Sequence, residues 1–259
     1  MTPYYVDDTV ELYVGDCREV MAALDIAPAA VITDPPYGET SLAWDRWPTG
    51  WLSMLPERVP QMWCFGSMRM FLERRHEFEP WQYGQEVVWE KHNGSGFHAD
   101  RFKRVHELAT HWYRGAWGDL TINPVMVPGA TKRTVHRKER PAHTGAIDGS
   151  SYTTERGGPK LERSVIYVRS CHGHAIHPTE KPFGIIEPLV RYSTNAGDLV
   201  LDPFAGSGAV LDAARQNGRR AIGIEGDERY AEAAARRLSQ GSLLAVGRSE
   251  RDLLDGGAS

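Results

Sequence analysis

The sequence predicts an α/β protein built on a doubly wound, mostly parallel sheet. From residue 164 to residue 240, short apolar strands alternate with helices, which is the pattern of a parallel sheet covered on both faces. Two apolar strands run directly into distinctive loops, Asp34-Pro35-Pro36-Tyr37 and the glycine turn of residues 202–208. Because open α/β sheets bind ligands beyond the carboxyl ends of their strands, these two loops are the candidate functional segments.

The first part of the chain contains compact apolar runs separated by amphipathic segments. The run at residues 29–33 ends where two successive prolines begin, and two prolines continue neither a helix nor a central strand. Alternation or apolar clustering predicts the strands, and helical spacing predicts the helices. The predicted elements are strands 9–14, 29–33, 61–65, 86–90 and 108–113, and helices 18–24 and 68–76.

The last part of the chain has a regular succession of strands and helices. Gly218 provides a suitable stop for the helix that follows the glycine turn. The predicted elements are strands 164–169, 199–201 and 220–225, and helices 184–193, 209–217 and 229–240.

Between these parts, from residue 115 to residue 163, glycine, proline, threonine, serine and basic residues dominate and no period persists. We therefore predict residues 116–163 to be an irregular insertion between two halves of one domain, 1–115 and 164–240. The weakly patterned residues 241–259 are predicted to be a flexible tail.

Composition excludes several classes of protein. The 259 residues are 41% hydrophobic and 25% charged, as in ordinary globular proteins. No apolar run approaches the roughly 20 residues that span a bilayer, and the N-terminus lacks the features of a secretion signal. Three widely spaced cysteines, Cys17, Cys64 and Cys171, do not form a disulfide framework. A cytoplasmic location is expected.

Charge argues both for and against nucleic acid as a partner. The formal net charge of −4 lacks the basic excess that nucleic-acid-binding proteins usually carry. Within the insertion, however, the short segment 132–140 contains five basic side chains and one acidic side chain, Glu139. This segment is either a DNA contact or a solvated charged loop. Its basic residues are Lys132, Arg133, Arg137, Lys138 and Arg140.

The glycine turn has the properties of a nucleoside site. Gly206 and Gly208 let the backbone approach a ligand closely, and the next strand ends at Glu225, where nucleotide-binding units grip a ribose diol. The turn lacks the dinucleotide glycine pattern and contains no lysine or arginine to meet phosphates. A nucleoside without a pyrophosphate, such as S-adenosylmethionine, is the better ligand. The alternative is a turn that serves only helix–strand packing.

The proline loop suits methyl transfer to an aromatic amine. The lone pair of such an amine is delocalised into the ring, so two hydrogen-bond acceptors are needed to draw the nitrogen toward tetrahedral geometry. Asp34 supplies one acceptor and the carbonyl of Pro35 supplies the other, because Pro36 has no N–H to occupy it. Tyr37 offers a face on which an extruded base can stack. An Asp-Pro pair also begins many ordinary turns, which is the alternative.

Three motifs in one order resemble a known family. Asp34-Pro35-Pro36-Tyr37, then His177-Pro178-Thr179-Glu180-Lys181-Pro182, then Asp202-Pro203-Phe204-Ala205-Gly206-Ser207-Gly208 are similar to the DNA amino-methyltransferases in the β arrangement. The resemblance implies a Rossmann-like fold that binds S-adenosylmethionine and methylates the exocyclic amine of a flipped adenine in double-stranded DNA. It also allows a homodimer, and it places target recognition in the insertion, which matches no familiar pattern.

The resemblance assigns roles to individual residues. It implies that Asp16 meets the adenine of the cofactor and that Glu225 binds the ribose. It implies further that Thr179 and Lys181 enclose the methionine end, Lys181 through the carboxylate. Residues 87–91 and 106–107 resemble the flanks of the target-base pocket. The cofactor residues in the glycine motif are Asp202, Phe204, Gly206, Ser207 and Gly208.

Several alternatives remain open at the level of sequence. The same acceptor chemistry serves the amino group of cytosine, RNA is a more remote substrate, and a nucleic-acid-binding protein without catalysis could keep the fold. Cys171, His172, His174 and His177 lie close together, but their spacing fits no common zinc signature, and no metal site is predicted. Trp44 could border the base pocket.

Overall fold

A computed structural model describes residues 1–95, 99–135, 152–171 and 180–240. Its main feature is a nine-stranded sheet. The strands of this sheet are Tyr5–Val6 (β1), Val10–Val14 (β2), Ala30–Thr33 (β3), Gln61–Gly66 (β4), Gln82–Ser95 (β5), Arg104–Tyr113 (β6), Val165–Tyr167 (β11), Leu199–Asp202 (β12) and Arg220–Glu225 (β13). Their order across the sheet is β1-β2-β13-β12-β3-β4-β6-β5-β11. Strands β2, β13, β12, β3 and β4 are neighbours in that order, and each pairs in parallel with the next. Strand β1 pairs antiparallel with β2, and β6 pairs antiparallel with both β4 and β5.

The helices divide between the two faces of this sheet. They are Cys17–Ala23 (α1), Met68–Glu73 (α2), Arg75–Phe78 (α3), Phe183–Ser193 (α4), Ala209–Gln216 (α5) and residues 228–240 (α6), with short 3₁₀ helices at Trp51–Met54 and Trp117–Asp119.

Strand residues alternate between two cores. Val31 packs in the core that contains α1, α2 and α3, whereas its neighbour Ile32 packs in the core that contains α4, α5 and α6. Met62 and Trp63 of β4 divide in the same way. A sheet buried on both faces requires strands that are apolar throughout, which is why β3 and β4 have no exposed residue. The predicted doubly wound α/β sheet is confirmed.

The strand order reverses between β12 and β3. From β12 the chain continues through α5 to β13 on one side, and from β3 it continues to β4 on the other side. Such a reversal leaves a crevice at the carboxyl ends of the two strands, where open α/β sheets bind their ligands. The proline loop follows β3 and the glycine turn follows β12, so both candidate segments meet at this crevice.

Several element bounds differ from those predicted. The segment predicted as one helix at residues 68–76 is two helices, α2 and α3, because Arg74 departs from helical geometry at φ −104° and ψ 10°. The predicted strand 86–90 is the middle of the longer strand β5, and the predicted strand 108–113 is the C-terminal part of β6, its partner in a hairpin. Its outer ends are polar, so apolar alternation does not reveal them. Over the residues that the structure describes, no helix is long and apolar enough to cross a membrane.

A second compact unit, Pro124–Arg163, is separate from the one formed by Met1–Asn123 and the chain from Ser164 onward. Where the sequence predicts only irregular structure, the described part of the unit contains two short antiparallel ladders. These pair Met126–Val127 (β7) with Lys160–Leu161 (β10) and Arg133–Val135 (β8) with Tyr152–Thr154 (β9). Strands of two or three residues are too short to show a period, so the pattern gives no sign of them. The predicted tail, residues 241–259, lies outside the described residues.

Candidate active site

A cavity of about 650 Å³ lies at the carboxyl ends of β3, β12 and β13. It is lined by most of the residues predicted from the two loops: Asp34, Pro35, Pro36, Tyr37, Asp202, Phe204, Gly206, Ser207 and Glu225. Asp16, Trp44, Glu107 and Lys181 also line it. Its volume is in the range of sites for drug-sized ligands.

Asp34 stands at the end of β3 with both carboxylate oxygens engaged. The Tyr37 hydroxyl donates to Oδ1 at 2.6 Å, and the Lys181 ammonium donates to Oδ2 at 2.5 Å. Burial raises the pKa of Asp34 above its usual value, in opposition to the nearby lysine. Tyr37, predicted as a stacking face, therefore also holds the carboxylate through its hydroxyl.

The loop after Tyr37 is fixed by Asp45, which the sequence analysis does not single out. Its buried carboxylate accepts three backbone N–H bonds: from Gly38 at 2.7 Å, Glu39 at 3.0 Å and Thr40 at 2.7 Å. Burial by itself would raise the pKa of Asp45, yet these donors hold it below its usual value. An aspartate shortly after a proline-rich turn is the one sequence signal that could have indicated this role.

Lys181 lies between two carboxylates. Its side chain is 5% exposed, and its nitrogen is 3.7 Å from Glu107 Oε2 in addition to the contact with Asp34. Glu107 in turn pairs with Lys91 at 3.0 Å. The ammonium predicted to meet the cofactor carboxylate is thus directed to Asp34 and Glu107.

The charges in this cluster are mutually dependent. Burial favours the neutral form of Glu107, but Lys181 and Lys91 outweigh it and lower the pKa of Glu107. Burial likewise opposes the charge on Lys181, but Asp34 and Glu107 raise its pKa. Glu107 is a site residue that sequence reasoning placed only among the flanks of the pocket.

Asp202 is almost fully buried and connects the two loops. Its Oδ1 accepts a hydrogen bond from the Thr33 hydroxyl at 2.8 Å and another from the Phe204 N–H at 3.1 Å. Burial raises its pKa to about 7. Asp202 borders the cavity but is 2% exposed, and its Oδ1 joins β12 to β3 through Thr33.

Glu225, at the end of β13, lies beside the glycine turn and is hydrogen-bonded to it. Its two oxygens accept hydrogen bonds from the backbone N–H groups of Gly206 and Asp227, each at 2.8 Å. Burial raises the pKa of Glu225. Each carboxylate oxygen has a second lone pair, so Glu225 can still accept from a ligand hydroxyl.

The glycines of the turn have different tasks. Gly206 lines the cavity with φ +51°, in the left-handed region that favours glycine. Gly208, predicted with the cofactor residues, does not line it. With φ +75° it forms the N-cap of α5, where an added Cβ would lie 3.1 Å from the Ala234 Cβ. Its position indicates a role in packing α5 against α6.

Ser207 and Phe204 line the cavity and also contact neighbouring elements. Arg237 of α6 donates to both the carbonyl and the hydroxyl of Ser207, at 3.1 and 3.0 Å, and also pairs with Glu180. The Phe204 ring packs edge-on against Trp51, with centroids 5.1 Å apart. Arg237 therefore connects the glycine turn to the segment that bears Lys181, a link the sequence gives no sign of.

Asp16 lies at the cavity as the N-cap of α1. One of its oxygens accepts the Arg18 N–H at 2.8 Å, and its carboxylate also pairs with the Arg18 guanidinium. These hydrogen bonds lower the pKa of Asp16. A negative charge is thereby held at the edge of the site.

The structure describes two of the five basic residues predicted to contact DNA. Lys132 and Arg133 are exposed, with Arg133 on β8. The other three, Arg137, Lys138 and Arg140, lie outside the described residues, as do Thr179, His172, His174 and His177. Among the described residues there is no group of three or more side chains that could hold a metal ion.

The chain matches a protein-family model and several known proteins. A family model for N6/N4 methyltransferases, described as DNA methylase, matches residues 29–236. The chain is 40% identical over 101 residues to YubD of Escherichia coli (strain K12), which bears the name of a methylase, and 42% identical over 70 residues to the type II methyltransferase M2.LlaDCHI of Lactococcus lactis subsp. cremoris. The first stretch covers 38% of this chain and 44% of YubD, and the second covers 27% of this chain and 26% of M2.LlaDCHI. The chain thus spans less than half the length of each of these two relatives.

Solved structures share the fold. M1.HpyAVI in complex with SAM superposes with a TM-score of 0.63 at 23% identity, covering 88% of this chain and 98% of that one. The cytosine-N4-specific PvuII DNA methyltransferase superposes with a TM-score of 0.59 at 14% identity, covering 90% and 87%. The resemblance drawn from the three motifs is confirmed.

Proposed function

Since this chain belongs to the DNA methylase family of N6/N4 methyltransferases, we propose that it transfers a methyl group from S-adenosylmethionine to the exocyclic amine of adenine in double-stranded DNA. The observation that carries the proposal is the position of Asp34. Its carboxylate stands at the end of β3 beside the glycine turn, within the same cavity as Glu225. A hydrogen-bond acceptor for an amine, Asp34, and a carboxylate that can bind a nucleoside, Glu225, thus line the same cavity.

The residues of the cavity fit S-adenosylmethionine. Glu225 can accept from a ribose hydroxyl, Phe204 presents an aromatic ring, and the Gly206 backbone leaves room for close approach. Asp16 supplies a further acceptor at the edge. When bound, the cofactor supplies an electrophilic methyl group on a positively charged sulfur.

Asp34 is the group that acts on the amine. Accepting an N–H bond opposes delocalisation of the nitrogen lone pair and stabilises the positive charge that develops as the nitrogen gains its methyl group. The Pro35 carbonyl is the second acceptor, and Asp34 can receive the proton that the nitrogen loses. Both groups follow a buried strand. Tyr37 holds the Asp34 carboxylate, and Asp45 fixes the loop after Tyr37, so the site needs little reorganisation.

The cavity geometry also supports base flipping. Asp34 and Tyr37 are partly buried side chains within a concave site, which a base stacked inside a duplex cannot reach. Unstacking costs a few kcal/mol, and stacking on Tyr37 would return about 1–3 kcal/mol. We propose that Tyr37 receives the extruded base.

We assign target recognition to the unit Pro124–Arg163. It forms a compact unit of its own, and its described part exposes Lys132 and Arg133. Basic side chains in an otherwise acidic protein are the expected source of attraction to phosphates.

Nucleoside mass spectrometry tests the proposal. Purified protein is incubated with methyl-labelled S-adenosylmethionine and unmethylated genomic DNA, which is then digested to nucleosides, with Asp34→Ala as the matched control. We expect labelled N6-methyladenine from the wild type and none from the variant. The aspartate at the start of the loop is what favours adenine, so labelled N4-methylcytosine alone would overturn that assignment. Absence of label with confirmed cofactor binding would overturn the catalytic proposal.

A further inference from the structure

The position of Lys181 is unusual for a lysine. Its side chain is 5% exposed, and such depth is rare for an ammonium unless it is paired. Here Asp34 lies 2.5 Å and Glu107 3.7 Å from its nitrogen. The nitrogen also stands over the ring of Phe65, 5.4 Å from its centroid. These contacts point the side chain at the proposed acceptor of the reaction.

Lys181 belongs to a row of alternating charges. Lys91 contacts Glu107, Glu107 contacts Lys181, and Lys181 contacts Asp34. Lys91 and Glu107 lie on the paired strands β5 and β6, and the Lys91 ammonium stands 4.5 Å from the centroid of the Trp89 ring. The far end of the row is therefore anchored in a sheet, and it can hold Lys181 in one place.

We propose that Lys181 is a positioning residue for methyl transfer: supported by Glu107, it orients Asp34 and keeps its carboxylate charged, leaving acceptor sites for the target amine. The inference rests on the proposed function of Asp34. It differs from a contact between Lys181 and the cofactor carboxylate, which is the role implied by the family resemblance.

The electrostatic reason is the environment of Asp34. Burial raises its pKa, and Glu107, which faces it from β6, acts in the same direction. The neighbouring acidic groups Cys64 on β4 and Asp202 on β12 offer no positive charge. Lys181 and the hydroxyl of Tyr37 favour the charged form of Asp34. A protonated carboxyl has one oxygen fewer to accept from an amine, so loss of Lys181 should make turnover fail at a higher pH.

The test is the pH dependence of single-turnover rates, measured at saturating cofactor and DNA for wild type, Lys181→Met, Lys181→Arg and Glu107→Gln. An opposite charge at hydrogen-bond distance lowers the pKa of a carboxyl by roughly 1–3 units. We expect the acid limb of Lys181→Met to move up by about that amount, with cofactor affinity within a few-fold of wild type. Lys181→Arg should return the limb toward the wild type. Glu107→Gln removes a negative neighbour and should move the limb the opposite way.

Controls separate this inference from the proposed function and from misfolding. Arg220→Met removes an exposed cation at the end of β13 away from the cavity, and its acid limb should match the wild type. Circular dichroism and cofactor titration establish that each variant is folded. An unchanged acid limb in Lys181→Met, with cofactor affinity reduced in proportion to the rate, would overturn the positioning role in favour of a cofactor contact. Wild type that methylates no DNA would instead overturn the proposed function.

Discussion

Thr33 donates its hydroxyl hydrogen to Asp202 across 2.8 Å, although the two residues are 169 positions apart in the chain. Thr33 is the last residue of β3 and immediately precedes Asp34, whereas Asp202 ends β12 and begins the glycine turn. The bond is buried and joins the two strands at the point where the strand order reverses. It fixes the loop that begins at Asp34 relative to the glycine turn, as the proposed methyl transfer between them requires.

Asp202→Asn should change how stability depends on pH. The pKa of Asp202 is raised from 3.8 to about 7, so its stabilising contribution is complete below the unfolded value and is lost as pH rises through the folded value. An amide of the same shape does not ionise. We therefore expect the variant to gain stability relative to wild type between pH 4 and pH 7 by a few kcal/mol.

Urea unfolding of the cofactor-free protein across that range measures this difference. The gap between variant and wild type should widen as pH rises and then level off above about pH 7. A gap that is the same at every pH would show that Asp202 is not protonated more readily in the folded protein.

Asp34→Ala should abolish methyl transfer while leaving cofactor affinity within a few-fold of wild type. In the proposed mechanism Asp34 acts on the amine in the transition state, so its loss should reduce turnover rather than cofactor binding. Single-turnover kinetics and calorimetric titration with S-adenosylmethionine measure the two quantities. Equal losses of affinity and activity would remove Asp34 from the catalytic role.

Glu225→Ala should weaken cofactor binding by about 1.5–3 kcal/mol, the contribution of a hydrogen bond to a charged group. The carboxylate also accepts the N–H groups of Gly206 and Asp227, so the alanine variant should loosen the turn as well. Glu225→Gln keeps one carbonyl oxygen as acceptor and should lose less. Calorimetry decides the matter, and wild-type affinity in the alanine variant would contradict a ribose contact.

Lys132→Ala combined with Arg133→Ala should weaken DNA binding almost equally for target and non-target duplexes. Both side chains are exposed, and phosphate contacts carry no sequence information. Each lost phosphate contact should flatten the dependence of log affinity on log salt by about 0.9. Fluorescence anisotropy over a salt series measures the slope. A slope equal to that of wild type would make the segment a solvated surface, and the same comparison applies to Arg137 and Lys138.

Apolar pattern predicted most of the sheet. Strand Arg220–Glu225 has the predicted bounds, and β2, β3 and β4 differ from theirs by one residue at one end. Such strands are buried on both faces, so their composition is dictated by position. The break between α2 and α3 and the short ladders of Pro124–Arg163 were not predicted, because a single non-helical residue or a three-residue strand leaves no period.

The sequence by itself determined the two loops and their order, because Asp34-Pro35-Pro36-Tyr37 and residues 202–208 are local motifs that follow buried strands, and it predicted a chemistry for each. Only the tertiary structure decided which charges face Asp34. Lys181 lies 147 residues further along the chain and Glu107 lies on another strand, yet the Lys181 ammonium and the carboxylates of Asp34 and Glu107 meet in one buried cluster. The ion-pair partners of a buried charge depend on which elements the fold brings side by side. Whether Lys181 contacts a cofactor carboxylate or Asp34 therefore depends on distances that no local sequence pattern contains.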